Sequence, residues 1–293
     1  GRVHHAYLFC GTRGVGKTSM ARILARALNA PDTVDDCPKP PDHAEYPELD
    51  VQQRMAAAIM AGQDLNVIEI DGASNRGVDD ARQLIANASL SPTDNARHKV
   101  YIIDEVHMLT KDAFNTLLKT MEEPPAHLKF ILCTTEPEKV LPTIQSRCQR
   151  FDFRNIPTRQ IADHLTAVLE KESIEADPQV VFEVARLGNG SMRDALSLLD
   201  RLLAVGEKNL TYELLESMLG LPDRQLLVQL MDAVAAGDVK TTLTAADELM
   251  KRGVSQEQFI ATLIGHVRFL LLIGACGADS DLVELPESAK QET

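Results

Sequence analysis

The sequence has no excess of positive charge, and this limits the partners that it can bind. Its 43 acidic and 30 basic side chains give the 293 residues a formal net charge of −13. A chain of this charge lacks the overall positive field that drives non-specific binding to nucleic acid, so any DNA contact must be local or shared with a partner. Charged residues make up 25% and hydrophobic residues 44% of the chain, which is typical of a globular protein and excludes a disordered one.

Cysteines are few and long hydrophobic runs are missing. The five cysteines include no C-x-x-C pair, and their odd number and wide spacing favour a reducing, cytoplasmic compartment. Cys10 and Cys133 are expected to pack in the core, and Cys148 either there or near Arg147. No apolar run approaches the roughly 18 residues of a membrane span, so we expect no membrane association. The first residues contain neither a signal peptide nor an initiator Met, and the sequence is expected to begin within a longer protein.

The first half of the chain alternates strand patterns with helical ones. Apolar strand runs cover residues 6–10, 67–70, 100–103 and 129–133. Because parallel strands need connections long enough for a helix, this alternation predicts a parallel α/β sheet. In the first predicted helix, the apolar side chains that recur at helical spacing are Met20, Ile23, Leu24, Ala27 and Leu28.

Breaks in these patterns predict three domains. A stretch rich in Pro and Asp, followed by a short helix, forms an expected insertion at residues 31–62. After residue 156 only helical periodicity remains, and a further break follows at residues 220–223. The predicted domains are therefore an α/β domain, a small helical domain and a third helical unit, at residues 1–156, 157–220 and 221–293.

One motif carries a strong chemical signal. Residues 11–18 read G-T-R-G-V-G-K-T and match the pattern G-x-x-x-x-G-K-[ST] in full, between a strand and a helix. Glycines let backbone N–H groups turn toward phosphates, and the helix N-terminus favours negative charge. We expect Lys17 to reach the β- and γ-phosphates of ATP and the Thr18 hydroxyl to ligate Mg²⁺. The alternative is a glycine-rich turn with a solvated lysine. The predicted nucleotide-binding residues are Gly11, Thr12, Arg13, Gly14, Val15, Gly16, Lys17 and Thr18.

A second motif places two carboxylates at the end of a predicted strand. The apolar run at residues 100–103 is followed by Asp104 and Glu105. Parallel sheets bind ligands at the carboxyl ends of their strands, so Asp104 is expected to hold Mg²⁺, directly or through water. Glu105 is expected to orient and polarise the attacking water. An apolar strand ending in Asp-Glu is common by itself, but with the Lys17 loop it predicts a phosphate, metal and water site.

Several longer runs resemble one family. They are residues 4–9 (HHAYLF), 68–74 (IEIDGAS), 103–109 (IDEVHML), 117–125 (LLKTMEEPP), 146–148 (SRC) and 190–197 (GSMRDALS). With the phosphate-binding loop, these runs resemble the gamma/tau family of bacterial DNA polymerase III, which are the AAA+ ATPases of the clamp loader. The resemblance is dense up to residue 220 and is limited to helical character beyond it.

This resemblance implies a fold and further site residues. The fold is an AAA+ P-loop α/β domain that lacks the family's first segment, then a helical lid and part of a helical collar that assembles subunits. Thr135, in preference to its neighbour Thr134, is implied to be the sensor-1 residue that contacts the γ-phosphate or the attacking water. Arg147 resembles the arginine finger, which reaches ATP held by a neighbouring subunit, and Arg193 resembles sensor 2, which acts within its own subunit. Taken alone, Arg147 is equally typical of a surface ion pair, and the alternative for Arg193 is a local pair with Asp194.

Two features of the family are changed or weak in this sequence. Family members usually carry four cysteines in a zinc module after the first helix, where this chain has only Cys37, with His43 and acidic residues nearby. Since these residues do not form an ordinary zinc ligand set, we expect no zinc site. The family's DNA-facing loop corresponds to residues 74–77, where Arg76 is the candidate DNA contact and a helix cap is the alternative explanation.

The implied function is that of an ATP-driven switch. Several subunits would form a ring-like assembly, bind ATP, open the sliding clamp and place it on primed DNA, and hydrolysis would release the clamp. Nothing in the sequence resembles a polymerase site, so the family's polymerase name refers to the holoenzyme. One alternative is an AAA+ DNA motor such as a branch-migration helicase, which the runs at residues 68–74 and 146–148 disfavour. The other is a structural clamp-loader subunit, which would not need the complete set of Lys17, Thr18 and the two carboxylates.

Overall fold

A computed structural model of the chain describes residues 3–30, 51–74, 77, 90–93, 96–206, 209–219, 224–251 and 256–277. The chain separates into two units, Gly1–Asn155 and Ile156–Thr293. The candidate site lies in the first unit, and the second unit is described by itself.

Five parallel strands form the sheet of the first unit. They are β1 (Ala6–Cys10), β2 (Val67–Asp71), β3 (Lys99–Asp104), β4 (Leu128–Thr134) and β5 (Gln149–Asp152). Their order across the sheet is β2-β3-β4-β1-β5. The parallel α/β sheet and its four expected strands are confirmed. β5 was not predicted, because every residue of this edge strand is exposed and its sequence carries neither an apolar run nor an alternating pattern.

Helices cover both faces of this sheet. They are α1 (Lys17–Asn29), α2 (Val51–Ala61), α3 (Lys111–Glu122) and α4 (Pro142–Gln145), with 3₁₀ turns at Val106–Met108 and Pro137–Lys139. Alternate residues of β1 belong to two different cores: Leu8 packs with the helix α3, while Phe9 packs with α1 and α2. Burial on both faces explains why these strands are continuous apolar runs. Ile59 in α2 is fully buried, so this part of the expected insertion belongs to the core.

The buried face of α1 differs in part from the expected one. Met20 and Ile23 are 45% and 44% exposed, whereas Ala21, Ala25 and Leu28 are buried. Of the predicted side chains, Leu28 is buried and Leu24 packs partly buried against the same core, so apolar periodicity was right for these two and wrong for Met20 and Ile23. The small alanines lie against the sheet, where the strand and the loop before the helix fix its rotation.

The second unit is almost entirely helical. Its helices are α5 (Thr158–Glu172), α6 (Pro178–Leu187), α7 (Met192–Leu203), α8 (Tyr212–Leu219), α9 (Arg224–Ala236), α10 (Val239–Lys251) and α11 (Gln256–Cys276). The four helices α5, α6, α7 and α8 share one hydrophobic cluster, and the three helices α9, α10 and α11 share a second one. The expectation of helices alone was wrong in one detail, since the two-residue strands β6 (Glu175–Ala176) and β7 (Asn209–Leu210) pair in parallel. Two residues are too few to give a periodic signal.

None of the helices in the described ranges combines the length and the apolarity that a membrane span requires.

A glycine allows β2 and β3 to approach each other closely where both strands end. The Gly72 N–H donates to the carbonyl oxygen of Asp104 at 2.8 Å. A Cβ atom at Gly72 would lie 2.7 Å from the carbonyl oxygen of Glu105 and 2.9 Å from that of Asp104. Because both of these oxygens belong to the backbone, a side chain here would require the strand ends to move apart.

Gly72→Ala is therefore expected to lower the free energy of unfolding of the first unit by about 1–3 kcal/mol, as overpacking of a close contact does. Amide hydrogen exchange in β2 and β3 measures this loss. The matched control is Gly274→Ala in α11, where a Cβ atom meets nothing within 4 Å. That change should leave exchange in α11 unchanged or slow it, because alanine is the better helix former. Equal protection of β2 in Gly72→Ala and the unchanged protein would contradict the prediction.

Candidate nucleotide-binding site

The phosphate-binding loop connects the end of β1 to the first residue of α1. Gly14 and Gly16 have φ angles of 75° and 91°, and Gly16 is the N-cap of α1. A side chain at this left-handed φ is strained, so glycine at residue 16 lets the chain turn sharply into the helix. A Cβ atom at Gly11 would lie 2.6 Å from the carbonyl oxygen of Phe153, which fixes glycine at the start of the loop as well. The strand, loop and helix predicted for this motif are confirmed.

Lys17 is the first residue of α1, and its side chain lies back over the loop. Lys17 is only 6% exposed. Its Nζ donates to the carbonyl oxygens of Gly11 at 2.9 Å and Thr12 at 2.8 Å. Both acceptors are uncharged, so the positive charge of the ammonium remains at the loop. An anion bound by the loop would meet this charge in a partly desolvated position, where electrostatic attraction is stronger than in water.

Thr18 and Asp104 are brought into direct contact. The Thr18 Oγ1 donates to the Asp104 Oδ2 at 2.5 Å, and the Asp104 Oδ1 accepts from the Glu105 N–H at 2.9 Å. These residues are far apart in the sequence and belong to α1 and the end of β3. Hydroxyl and carboxylate oxygens are ligands that Mg²⁺ prefers, and it binds beside phosphates through one or two carboxylates. The donor set therefore fits the Mg²⁺ of a bound nucleotide.

Glu105 lies beside Thr135 across the edge of the sheet. Its Oε2 accepts from the Thr135 Oγ1 at 2.9 Å and from the Thr135 N–H at 3.3 Å. Glu105 has a φ of 42°, a left-handed conformation that is uncommon for a residue with a side chain and often occurs at functional sites. Glu105 and Thr135 were predicted separately, at the ends of β3 and β4. The structure joins them by hydrogen bonds.

His107 joins this group, and sequence reasoning missed it. Its side chain is 5% exposed, with Nδ1 at 3.0 Å from the Thr134 Oγ1 and 3.4 Å from the Glu105 Oε2. Its Nε2 lies 3.1 Å from the Glu136 Oε1. The hydrogen bond from Lys139 holds the pKa of the Glu136 carboxyl below its usual value. The sequence signal for His107 was only its place within the run at residues 103–109.

Arg147 follows α4 and forms an ion pair within its own unit. Its Nη2 lies 2.8 Å from the Glu122 Oε1, and its Nη1 donates to the Thr143 carbonyl oxygen at 2.8 Å. The Arg147 side chain is 33% exposed and that of Glu122 is 53% exposed. Ion pairs this exposed contribute about 0–1 kcal/mol, so this pair exchanges readily for another partner.

Arg193 belongs to the second unit and is exposed in the first turn of α7. Ser191 is the N-cap of this helix, and its Oγ accepts the Asp194 N–H at 3.2 Å. Gly188 precedes it, and a Cβ atom there would lie 2.7 Å from the buried Cβ of Ala195. This glycine therefore holds the start of α7 close to the end of α6.

The remaining predicted residues are core thiols or lie outside the described ranges. Cys10 and Cys133 are buried and Cys148 is partly buried, which confirms their expected packing. Burial raises the pKa of the Cys148 thiol to about 12, so it stays protonated at neutral pH. The candidate DNA contact Arg76 and the residues weighed for zinc, with Cys37 first among them, lie outside the described residues, so both expectations stay predictions.

Three family profiles together match almost the whole chain. Residues 1–157 match "DNA polymerase III, delta subunit". Residues 160–208 match the ATPase lid domain of the DNA polymerase III clamp loader subunit. Residues 210–293 match domain III of DNA polymerase III subunits gamma and tau.

Curated relatives carry the same family name. DNA polymerase III subunit tau of Escherichia coli is 38% identical over 97% of this chain and 43% of its own length. Subunit gamma/tau of Mycobacterium tuberculosis is 41% identical over 99% of this chain and 49% of its own length. Subunit gamma of Buchnera aphidicola is 40% identical over 92% of this chain and 71% of its own length. The chain thus spans about half the length of several curated relatives that it matches.

Solved structures agree in fold. One point mutant of Thermotoga maritima RuvB has a TM-score of 0.51 at 16% identity, covering 79% of this chain and 69% of its own. Another point mutant of the same protein has a TM-score of 0.51 at 17% identity, covering 89% of this chain and 80% of its own. Identity this low supports the AAA+ fold alone. The family profiles and the curated relatives establish that the chain belongs to the gamma/tau family of DNA polymerase III clamp-loader subunits, which have an AAA+ ATPase fold.

Proposed function

We propose that this chain is the ATP-hydrolysing part of a bacterial clamp loader, which places the sliding clamp on primed DNA during replication. The observation that carries the proposal is the contact of Thr18 with Asp104, at 2.5 Å, beside the Lys17 loop. This contact assembles phosphate-binding and metal-binding groups from separate parts of the chain. Membership of the gamma/tau family gives these groups their context.

The loop binds the nucleotide phosphates in this proposal. Backbone N–H groups of residues 11–18 face the phosphates, and Lys17 exchanges its carbonyl acceptors for phosphate oxygens. Thr18 and Asp104 hold the Mg²⁺ that accompanies ATP. When bound, this ion neutralises the charge that develops on the phosphates during transfer.

Glu105 acts on the attacking water. Its carboxylate accepts a hydrogen bond from the water and orients it toward the γ-phosphate, while Thr135 holds the Glu105 Oε2 at 2.9 Å. Thr135 would in this way combine the sensor-1 role with the positioning of Glu105. Thr134 is fully buried and lies against His107, which makes it the weaker sensor-1 candidate.

Two arginines complete the proposed site, one acting on the ATP of a neighbouring subunit and one acting from the lid. Arg147 exchanges Glu122 for the phosphates of ATP held by a neighbouring subunit, where it stabilises the charge of the transition state. Arg193, in the lid, acts on the γ-phosphate of its own subunit. Both roles follow the family resemblance, and the exposed positions of the two side chains are compatible with them.

The proposed organisation follows from the same assignment. Residues 1–156 form the nucleotide-binding domain, 157–220 the lid and 221–293 part of the collar, supported by the division after residue 155 and by separate profiles for the last two parts. The proposed partners are other loader subunits, the sliding clamp and primed DNA, with Arg76 as a DNA contact. The proposed location is cytoplasmic. No zinc site and no polymerase site are assigned.

ATP turnover tests the function. The intact protein, assembled with clamp-loader partner subunits, should hydrolyse ATP faster only when sliding clamp and primed DNA are both present. Stimulation by duplex or branched DNA alone would instead support a DNA motor. Tight binding of ATP without turnover would support a structural subunit.

Lys17→Ala is expected to weaken ATP binding about 10- to 100-fold, because a hydrogen bond to a charged group contributes about 1.5–3 kcal/mol. Titration with a fluorescent ATP analogue measures the affinity. Lys111→Ala, which removes an exposed lysine at the start of α3, is the matched control and should leave it unchanged. Equal affinities of the two variants would contradict the role of Lys17.

Arg147→Ala is expected to leave nucleotide binding intact while lowering clamp-stimulated turnover about 1,000-fold or more, the usual effect of losing an arginine finger. The measurement is steady-state hydrolysis by the assembled complex. Arg150→Ala removes another exposed, ion-paired arginine from the same region and serves as the control. Turnover by Arg147→Ala at the unchanged rate would refute the finger assignment.

A further inference from the structure

We propose that His107 is a positioning residue that fixes the carboxylate of Glu105 for its action on water. This inference rests on the proposed ATPase function and assigns a role to a side chain that the sequence did not single out. Its basis is a row of contacts that starts at Lys139, passes through Glu136 and His107, and ends at Glu105.

The imidazole ring is held at both of its nitrogens. Nε2 lies 3.1 Å from the Glu136 Oε1, and Nδ1 lies 3.0 Å from the Thr134 Oγ1 and 3.4 Å from the Glu105 Oε2. The His107 side chain is buried, with 5% exposure. A buried ring with polar partners at both nitrogens has little freedom to rotate, so it presents the same edge to Glu105 at all times.

The far end of the row is anchored independently. The Glu136 Oε2 lies 2.6 Å from the Lys139 Nζ, and the Glu136 N–H donates to the Thr134 Oγ1 at 3.0 Å. Lys139 is in the 3₁₀ turn Pro137–Lys139. Glu136 is therefore placed chiefly through its backbone hydrogen bond to Thr134, while the exposed pair with Lys139 adds little. This arrangement holds Glu136 beside His107 without help from the nucleotide.

The near end of the row is fixed by the backbone. A 3₁₀ turn follows Glu105, with the Met108 N–H donating to the Glu105 carbonyl oxygen at 2.9 Å. His107 thus lies one residue beyond Val106, which is fully buried. Because the turn is short and its first residue is packed in the core, the His107 ring cannot move away from Glu105 without disturbing the sheet edge.

The contacts of Glu105 leave one oxygen for chemistry. The hydrogen bonds from Thr135 and the approach of His107 all involve Oε2. Among the described residues, no such hydrogen bond or ion pair reaches Oε1, so it is the oxygen proposed to receive the water. A carboxylate held in advance needs no reorganisation during the reaction, which is how such groups lower a barrier. Loss of His107 should therefore reduce turnover and spare ATP binding.

Steady-state kinetics of the assembled protein test this inference. His107→Leu fills the space of the ring without hydrogen bonds, and it is expected to lower kcat about 10- to 100-fold while changing the KM for ATP less than about twofold. His107→Asn keeps an amide near the position of Nδ1 and should recover most of the lost kcat. His164→Ala, at an exposed position in α5, is the control for removing a histidine and should have no effect. Equal kcat for the Leu and Asn variants, or an unchanged kcat for His107→Leu, would overturn the proposal.

A double-mutant cycle separates positioning from general damage to the fold. If His107 acts through Glu105, the change His107→Leu should cause no further loss of turnover in a protein that already carries Glu105→Gln. Independent, multiplying losses would overturn the proposal, because they would indicate a structural effect that does not pass through Glu105.

The same measurements distinguish a failure of the proposed ATPase site from a failure of the proposed role of His107. Unchanged turnover of Glu105→Gln would refute the proposed ATPase site itself. An inactive Glu105→Gln beside a fully active His107→Leu would refute only the role of His107.

Discussion

The position of β4 between β1 and β3 is the constraint on which the candidate site depends. The phosphate-binding loop follows β1, Thr135 follows β4, and Asp104 and Glu105 end or follow β3. Because these strands are parallel, their carboxyl ends lie at one edge of the sheet, where such folds bind ligands. The hydrogen bond from Thr18 to Asp104 connects the start of α1 with the end of β3. The hydrogen bond from Thr135 to Glu105 connects the residues that follow β4 and β3. A different strand order would separate these groups even if every element formed.

Burial of the strands on both faces makes this edge rigid enough to position polar atoms. Leu8 and Phe9 in β1 belong to opposite cores, so the strand is fixed from both sides. The edge itself is then shaped by close backbone approaches at Gly11 and Gly72, where a Cβ atom would lie 2.6 Å and 2.7 Å from carbonyl oxygens. Glycine in these runs thus has a physical reason within this chain: the loop and the strand end must lie against neighbouring backbone.

Sequence reasoning identified the groups whose chemistry depends on a motif and missed those whose position depends on packing. Lys17, Thr18 and the two carboxylates were predicted because their spacing from strand runs is a local property of the chain. The buried face of α1 was predicted only in part, since Met20 and Ala21 both fit a helical stripe and only the packing against the sheet selects Ala21. His107 was missed because its importance comes from contacts with residues 134–136, nearly 30 positions along the chain. β5 was missed because an exposed edge strand leaves no apolar pattern.

The charges at the sheet edge give a physical reason for the row that ends at Glu105. Asp104 and Glu105 at the end of β3 and Glu136 just after β4 bring three carboxylates to the edge of the sheet where a triphosphate is proposed to bind, and neighbouring like charges repel each other. Lys17 and Lys139 offset part of this repulsion, and Mg²⁺ held by Asp104 would offset more. Glu105 has no lysine or arginine of its own among the ion pairs of the described residues, so its orientation depends on Thr135 and His107. Because both partners contact Oε2, the other carboxylate oxygen stays open to the water that Glu105 is proposed to orient.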